Sequence, residues 1–297
     1  MRYHSSGAFR RALEDRLRSE SLALGLPLLR LRKMVVLERF VARLTAAQPG
    51  YWLLKGGLAL QWRLGNLART TQDLDMLFVA PLNDIHQALV RAALPDSGDW
   101  FHFLVASPVL PAAEPGAPGQ RFEVQCLVDG RPFENFHLDV SRGDPVVEPP
   151  DKLTLPSLLA FAGFSPVTAL CYPVTQHIAE KVHAYTLPHV SGESSRVKDL
   201  LDILLMARAG ALDGRALSGA IQATFAARGT HALPHDLPDA PASWNVPFGR
   251  MARDAGWRDV TLAMAMDMAR RFLNPVLEGR AGGRWDAARW EWLEPGA

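Results

Sequence analysis

Asp73 and Asp75, one residue apart in the apolar run "DLDMLFV", are residues whose type and spacing point to chemistry. Side chains alternate in direction along a strand, so the two carboxylates share one face. An unpaired carboxylate in an apolar setting is costly, and two side by side need a hard cation between them. Upstream, Gly56-Gly57 separates the apolar "YWLLK" from "LALQWRLG". A Gly-Gly turn ahead of a helix lets backbone N–H groups approach a phosphate closely, and the helix N-terminus favours the anion. Asp139, in "FHLDV", would complete a three-carboxylate site. Such a site suits two-metal phosphoryl or nucleotidyl transfer, in which one ion activates the attacking oxygen and the other steadies the leaving pyrophosphate. Lys181, in the helical "HIAEKVHAY", is a candidate cation for the phosphates. In "RVKDLLDIL", Arg196 and Asp199 lie one helical turn apart.

Taken singly these features are ordinary. A Gly-Gly pair is often only a turn, Lys181 a solvated helix lysine, Asp199 a surface ion-pair partner and Asp139 a partner for Arg142. Their order along the chain is what carries specificity: strand, Gly-Gly, helix, then Asp-x-Asp on the next strand.

The elements that must position these residues follow from periodicity and punctuation. Helices are expected over 7–24 and 27–46, the second with apolar Leu28, Leu29, Met34, Val35, Val36 and Phe40 interleaved with arginines. "YWLL" reads as a short buried strand, "LALQWRLG" as about two helical turns stopped by Gly65, and "DLDMLFV" as the next strand. A helix over about 83–94 and a strand at "FHFLVAS" come next, then the Pro- and Gly-rich "PVLPAAEPGAPGQ". "RFEVQCLV" and "RPFENFHLDV" flank Asp129-Gly130, a strong hairpin signal. Residues 50–142 thus read as a mixed α/β unit of four or five strands. Beyond Pro145, helices are expected over 174–187, 196–209, 213–227 and about 259–278, with a Pro-rich loop at 233–247. The fold class is α/β (α+β), with a mixed-sheet core, an N-terminal helical pair and a helical C-terminal half. The expected division is 1–48, 49–145 and 146–297.

Bulk properties set bounds. Of 297 residues, 48% are apolar and 21% charged, a globular balance that excludes disorder. A formal net charge of +1 means that any nucleic-acid surface must be local. Cys126 and Cys171 are expected as buried, reduced thiols, and no zinc spacing is present. The charged start "MRYHSSGAFRRALEDRLRSE" is not a signal peptide. The uncharged run 153–174 is interrupted by Pro156, Gly163, Pro166 and Pro173, so it reads as buried connecting structure and not as a membrane span. A cytoplasmic protein with no membrane partner is expected.

The order "LLKGGLAL…RTTQDLDM" resembles the nucleotidyltransferase superfamily that includes DNA polymerase beta, and more closely its AbiEii/AbiGii toxin branch. That branch has Lys-Gly-Gly, then Arg, Ser or Thr, and Asp-x-Asp, followed by a helical lysine and Arg-x-x-Asp. "AEKVHAY" and "RVKDLLDI" match the second block. The layout is similar to the MenT toxins, and the likeness covers most of residues 27–210. The resemblance implies a Mg²⁺-dependent toxin of a toxin–antitoxin or phage-defence system, one that adds nucleotides from an NTP to the 3′ acceptor end of tRNA. Translation then stops because aminoacylation is blocked. A cognate antitoxin is the implied partner. Carried over, Lys55, Gly56, Gly57, Arg69, Thr71 and Arg196 bind the nucleotide, Asp73, Asp75 and Asp139 hold metal, and Asp73, Lys181 and Asp199 are catalytic. Thr71, with Thr70 beside it, occupies the position where some members are silenced by an antitoxin kinase. Asp144 and Glu134 are alternatives for the third carboxylate.

Transfer to a protein or small-molecule acceptor, or a degenerate nucleotide-binding regulatory module, are the competing functions. An RNA end would be met by phosphate contacts and base stacking. Arg39, Arg43, Arg63, Arg69, Arg121 and Arg131 would contribute if they share a face, against the plainer expectation of scattered solvated charges. His177 should share the Lys181 face and His183 should not, while Trp52 and Trp62 are expected in the core.

Overall fold

Helix α1 (Ser6–Leu24) starts where the Ser5 hydroxyl accepts from the Ala8 N–H and ends at Gly25, whose φ of 64° suits a residue without a side chain. In this computed structural model, the residues described are 3–65, 68, 71–81, 84–94, 98–109, 119–155, 157–188 and 196–294. Phe9, Leu13 and Leu17, four residues apart, form the buried stripe of α1. Helix α2 (Leu28–Ala47) is buried along much of its length.

Strand β1 (Trp52–Lys55), helix α3 (Gly56–Leu64), strand β2 (Leu74–Phe78), helix α4 (Ile85–Ala93) and strand β3 (Phe101–Val105) follow in the expected order. The hairpin of β4 (Gly119–Val128) and β5 (Arg131–Ser141) turns on Asp129 and Gly130. Both turn residues have positive φ, 57° and 65°, as a two-residue hairpin loop requires.

The run expected to be buried connecting structure instead contributes to a second hairpin, β6 (Asp151–Leu155) and β7 (Val167–Cys171). Gly163, Pro166 and Pro173 lie between or beyond the strands, where they interrupt no ladder. Strand β7 pairs in parallel with β1 through Leu54 and Cys171. The main sheet of the described residues therefore has the order β3-β4-β5-β2-β1-β7-β6, and draws two of its strands from beyond residue 146.

Beyond β7 the described residues are mainly helical: α5 (Val174–Thr186), α6 (Val197–Ala209), α7 (Gly214–Arg228), α8 (Asn245–Asp254) and α9 (Leu262–Leu277). The Pro-rich loop expected at 233–247 gives way to α8, which opens after a short 3-10 turn at Ala242–Trp244. A short hairpin, β8 (Trp285–Asp286) with β9 (Glu291–Trp292), packs Trp285 and Trp292 around Phe272. No described helix is long and apolar enough to cross a membrane.

Among the described residues two large apolar clusters result, with a small third one of Leu53, Leu77 and Tyr172. One joins α1, α2 and α4 to the sheet; the other joins α5 to α9 and takes Leu60 from α3. Trp52 and Trp62 are buried in the first. Cys126 and Cys171 are buried and free, and burial pushes the Cys171 thiol up to about 12. A polar anchor sits at the end of α2. Asp99 accepts from Arg39 at 2.9 Å and from Arg43 at 2.6 and 2.9 Å. The two arginines, entertained as RNA contacts, are thus interior partners of a buried carboxylate. Arg63 is also committed, to the Asp151 carboxylate and the Tyr172 carbonyl.

Candidate active site

Pairing across three adjacent strands brings the chemistry together. In β1 and β2, antiparallel, Lys55 faces Asp75; in β2 and β5, parallel, Asp75 faces Asp139. Register partners point to the same face, so one lysine and two carboxylates project from one side of the sheet. Asp73, just ahead of β2, joins them in the lining of a cavity of about 740 Å³.

The turn into α3 accounts for both glycines. Gly56 has φ 61°, and a Cβ there would lie 1.7 Å from the Asp75 Oδ2. At Gly57 a Cβ would meet the Thr71 Cβ and Oγ1 at 2.7 Å. Both glycines are bare because the Asp-x-Asp segment lies against them. No side chain caps the α3 N-terminus, which leaves its N–H groups available to an anion. Thr71 is buried, and its hydroxyl donates to the Asp73 carbonyl at 3.1 Å. Arg69 and Thr70 lie outside the described residues.

The opposite wall is helical. Helix α5 presents His177, Glu180, Lys181 and Ala184; the start of α6 presents Arg196, Lys198 and Asp199; the end of α7 presents Arg228. The Lys181 ammonium donates to Asp199 at 3.0 Å and to Asp202 at 2.7 Å. Arg196 lies 3.7 Å from the other Asp199 oxygen. His183 points elsewhere, to Thr230 at 2.8 Å.

The electrostatics are tightly balanced. Burial, and then the adjacent Asp139 charge, push the Asp75 carboxyl above the ordinary carboxylate range, against the pull of Lys55 and Lys181. Asp139 is gripped by Arg121, Nε to Oδ1 at 2.7 Å and Nη2 to Oδ2 at 2.6 Å. Lys55 donates to Glu180 at 2.6 Å and to Asp144 at 2.7 Å. Burial alone would lower the Lys55 value; the Glu180 and Asp144 charges reverse that and raise it. Asp144 is held below its ordinary value, the Lys55 charge overcoming burial.

Of the two alternatives for the third carboxylate, Glu134 does not line the cavity and pairs with Lys33 at 3.1 Å. Asp144 lines it but is held by Lys55. Among the described arginines expected as RNA contacts, only Arg121 lines the cavity; Arg131 pairs with Asp129 at the hairpin turn. Several lining or supporting residues had not been singled out: Ser141, Glu180, Arg228, Lys198, Asp202, and His137, whose Nδ1 is 3.4 Å from Asp73. Only Asp202 had a local signal, its three-residue spacing from Asp199 on one helix.

The donor set fits a hard divalent cation. Asp73, Asp75 and Asp139 offer oxygen ligands, burial and the Asp139 charge disfavour the bare Asp75 carboxylate, and the bare Gly56 leaves room at its oxygen. Among the described residues, no three His, Cys, Asp or Glu side chains are already assembled as an ion site. Asp139 in particular is turned to Arg121.

Residues 39–278 match the family model described as "Nucleotidyl transferase AbiEii toxin, Type IV TA system". No curated protein matches. Among solved structures, the chain is similar to MenT4, a nucleotidyltransferase toxin from Mycobacterium tuberculosis H37Rv, at 20% identity and a TM-score of 0.49, over 83% of this chain and 92% of that one. It is also similar to JHP933 from Helicobacter pylori, at 16% identity and a TM-score of 0.39, over 82% of this chain and 91% of that one.

Proposed function

The chain belongs to the AbiEii nucleotidyl transferase toxin family, and from that premise we propose a Mg²⁺-dependent enzyme that moves a nucleotide from an NTP to the 3′ end of tRNA in the cytoplasm. The observation that carries the reading is the register of β2 and β5, which sets Asp75 beside Asp139 directly under the Gly56 turn. A toxin of this family implies an antitoxin partner.

Each residue has a role in that reaction. Asp73, Asp75 and Asp139 would hold the divalent ions. When bound, the ions supply Lewis-acid polarisation of the phosphate oxygens and charge neutralisation of the leaving group. The uncapped α3 N-terminus at Gly56-Gly57 receives phosphate oxygens. Lys181, steadied by Asp199 and Asp202, adds a fixed positive charge. Arg196 and the exposed Lys198 edge the cavity where a phosphodiester backbone would approach. The terminal ribose hydroxyl oxygen bonds to the α-phosphorus, the bond from that phosphorus to the bridging oxygen breaks, and pyrophosphate departs. One of the three carboxylates takes the hydroxyl proton. Positioning and charge do the catalysis, and no covalent enzyme intermediate is needed.

Incubation of the purified protein with Mg²⁺, each labelled NTP in turn and total tRNA, beside an Asp73→Ala control, tests this. Label on tRNA with the wild type alone is expected, and it names the nucleotide. Label on tRNA at equal rates from Asp73→Ala would overturn the metal assignment. Nucleotide binding without labelled tRNA would move the acceptor to a protein or small molecule.

A further inference from the structure

Arg228 belongs to none of the sequence motifs, yet its side chain is only 9% exposed and lines the cavity. Its contacts are loose. Nη2 lies 3.5 Å from the Glu180 Oε1 and 3.7 Å from the Asp144 Oδ1, and Nη1 lies 3.5 Å from the His183 Nδ1. Charge-assisted hydrogen bonds are normally about 2.7–2.9 Å. Its Nε is buried and finds no hydrogen-bond partner, a costly condition for an N–H group.

The looseness has a cause. Glu180 and Asp144 give their short contacts, 2.6 and 2.7 Å, to Lys55, and Asp144 also accepts from the Ser141 hydroxyl at 2.6 Å. Lys181 and Arg121 are likewise held at 3.0 Å or less by their own carboxylates. Arg228 is therefore a buried guanidinium in the cavity wall whose neighbouring acids are already engaged. Six cationic and six carboxylate side chains line the cavity, so an entering anion meets no net charge barrier there, and a planar fork of N–H donors matches a phosphate better than any other side chain.

We propose that Arg228 binds the pyrophosphate portion of the incoming nucleoside triphosphate. The inference rests on the nucleotidyl-transfer reading and adds a residue to it. The location favours the β- and γ-phosphates over the α-phosphate. The carboxylates that mark the reacting phosphorus are Asp75 and Asp139, whereas Arg228 sits with Glu180 and Asp144 at the far end of the Lys55 side chain, whose backbone pairs with Asp75. A triphosphate lying along that lysine would place its leaving group against Arg228 and give the orphaned Nε an acceptor.

The test uses the full chain with Arg228→Gln and Arg228→Lys, measuring the binding of each NTP, each NMP and inorganic pyrophosphate, with thermal melts alongside. Arg228→Gln should weaken NTP and pyrophosphate about tenfold or more, the scale of one lost charged hydrogen bond, and leave NMP unchanged. Arg228→Lys, which keeps the charge and loses the fork, should fall between. Unchanged NTP affinity in Arg228→Gln would overturn the proposal. So would an equal loss for NTP, NMP and pyrophosphate accompanied by a lower melting temperature, because that pattern belongs to a purely structural ion pair. Failure of the wild type to bind any triphosphate would remove the transferase reading itself.

Discussion

Gly56→Ala should uncouple activity from folding. The added Cβ would sit 1.7 Å from the Asp75 Oδ2, whereas real Cβ atoms essentially never approach within 3.0 Å, so the carboxylate must retreat by about 1.3 Å. A shift near 1 Å in a reacting group costs about 10²-fold in rate, and Asp75 is placed by a strand partner on either side, Lys55 and Asp139. A residue with a side chain at φ 61° adds only about 1–2 kcal/mol of instability. Gly57→Ala is the control: its φ is not in the left-handed region, and its Cβ at 2.7 Å needs Thr71 to yield by only about 0.3 Å. Labelled-NTP transfer rates and urea midpoints for both variants decide the matter. The expectation is a fall of about 10²-fold or more for Gly56→Ala, and less than about tenfold for Gly57→Ala. Near-normal transfer by Gly56→Ala, or equal losses in the two, would refute the account of the turn.

Glu38 is buried, and desolvation lifts its carboxyl from 4.5 to about 7 despite the Ser157 hydrogen bond and the Arg39 charge. The folded chain then holds a proton that the unfolded chain has released between those values, so stability falls as pH rises through that window, by about 3 kcal/mol in all. Glu38→Gln, which keeps an acceptor for Ser157, should flatten that slope in urea titrations at several pH values; an unaltered slope would assign the pH dependence elsewhere. Lys55→Met strips the short contacts from Asp144 and Glu180 and should cost about 3–5 kcal/mol in the same assay. A loss under about 1 kcal/mol would mean Arg228 alone can neutralise the pair.

How much of this was legible beforehand depended on whether the signal was local. The Asp-x-Asp alternation, the glycine pair and the Asp129-Gly130 turn are local, and they fixed β1, α3, β2 and the β4–β5 hairpin. Strands β6 and β7 were hidden because their flanking prolines and glycines read as breaks, and α8 because Pro234, Pro238, Pro241 and Pro247 crowd its start. Arg39 and Arg43 read as surface charge, since nothing in the chain near them announces Asp99, 56 residues beyond Arg43. The partners of Lys55 lie 89 and 125 residues away, and Arg228 has no nearby pattern at all. Motif order picked out carboxylates that the fold gathers in one cavity; the charges that set their surroundings come from long-range packing.

The parallel pairing of β2 with β5, and the return of α5, α6 and α7 to the sheet, also govern when the molecule becomes dangerous to its own cell. Parallel strands cannot form by a local hairpin, and pairings distant in sequence are slow. A nascent chain that has made Asp75 still lacks Asp139, Lys181, Asp199 and Arg228. Elongation at about 5–20 residues per second puts roughly 8–30 s between Asp75 and Arg228. In a synchronised cell-free translation, label transfer should begin only after that interval, and transfer by chains that end short of α5 would sink the idea. A cavity lined from Lys55 to Arg228 cannot close until Arg228 has been made and folded back, so the onset of activity waits on long-range packing and not on the motif strands alone.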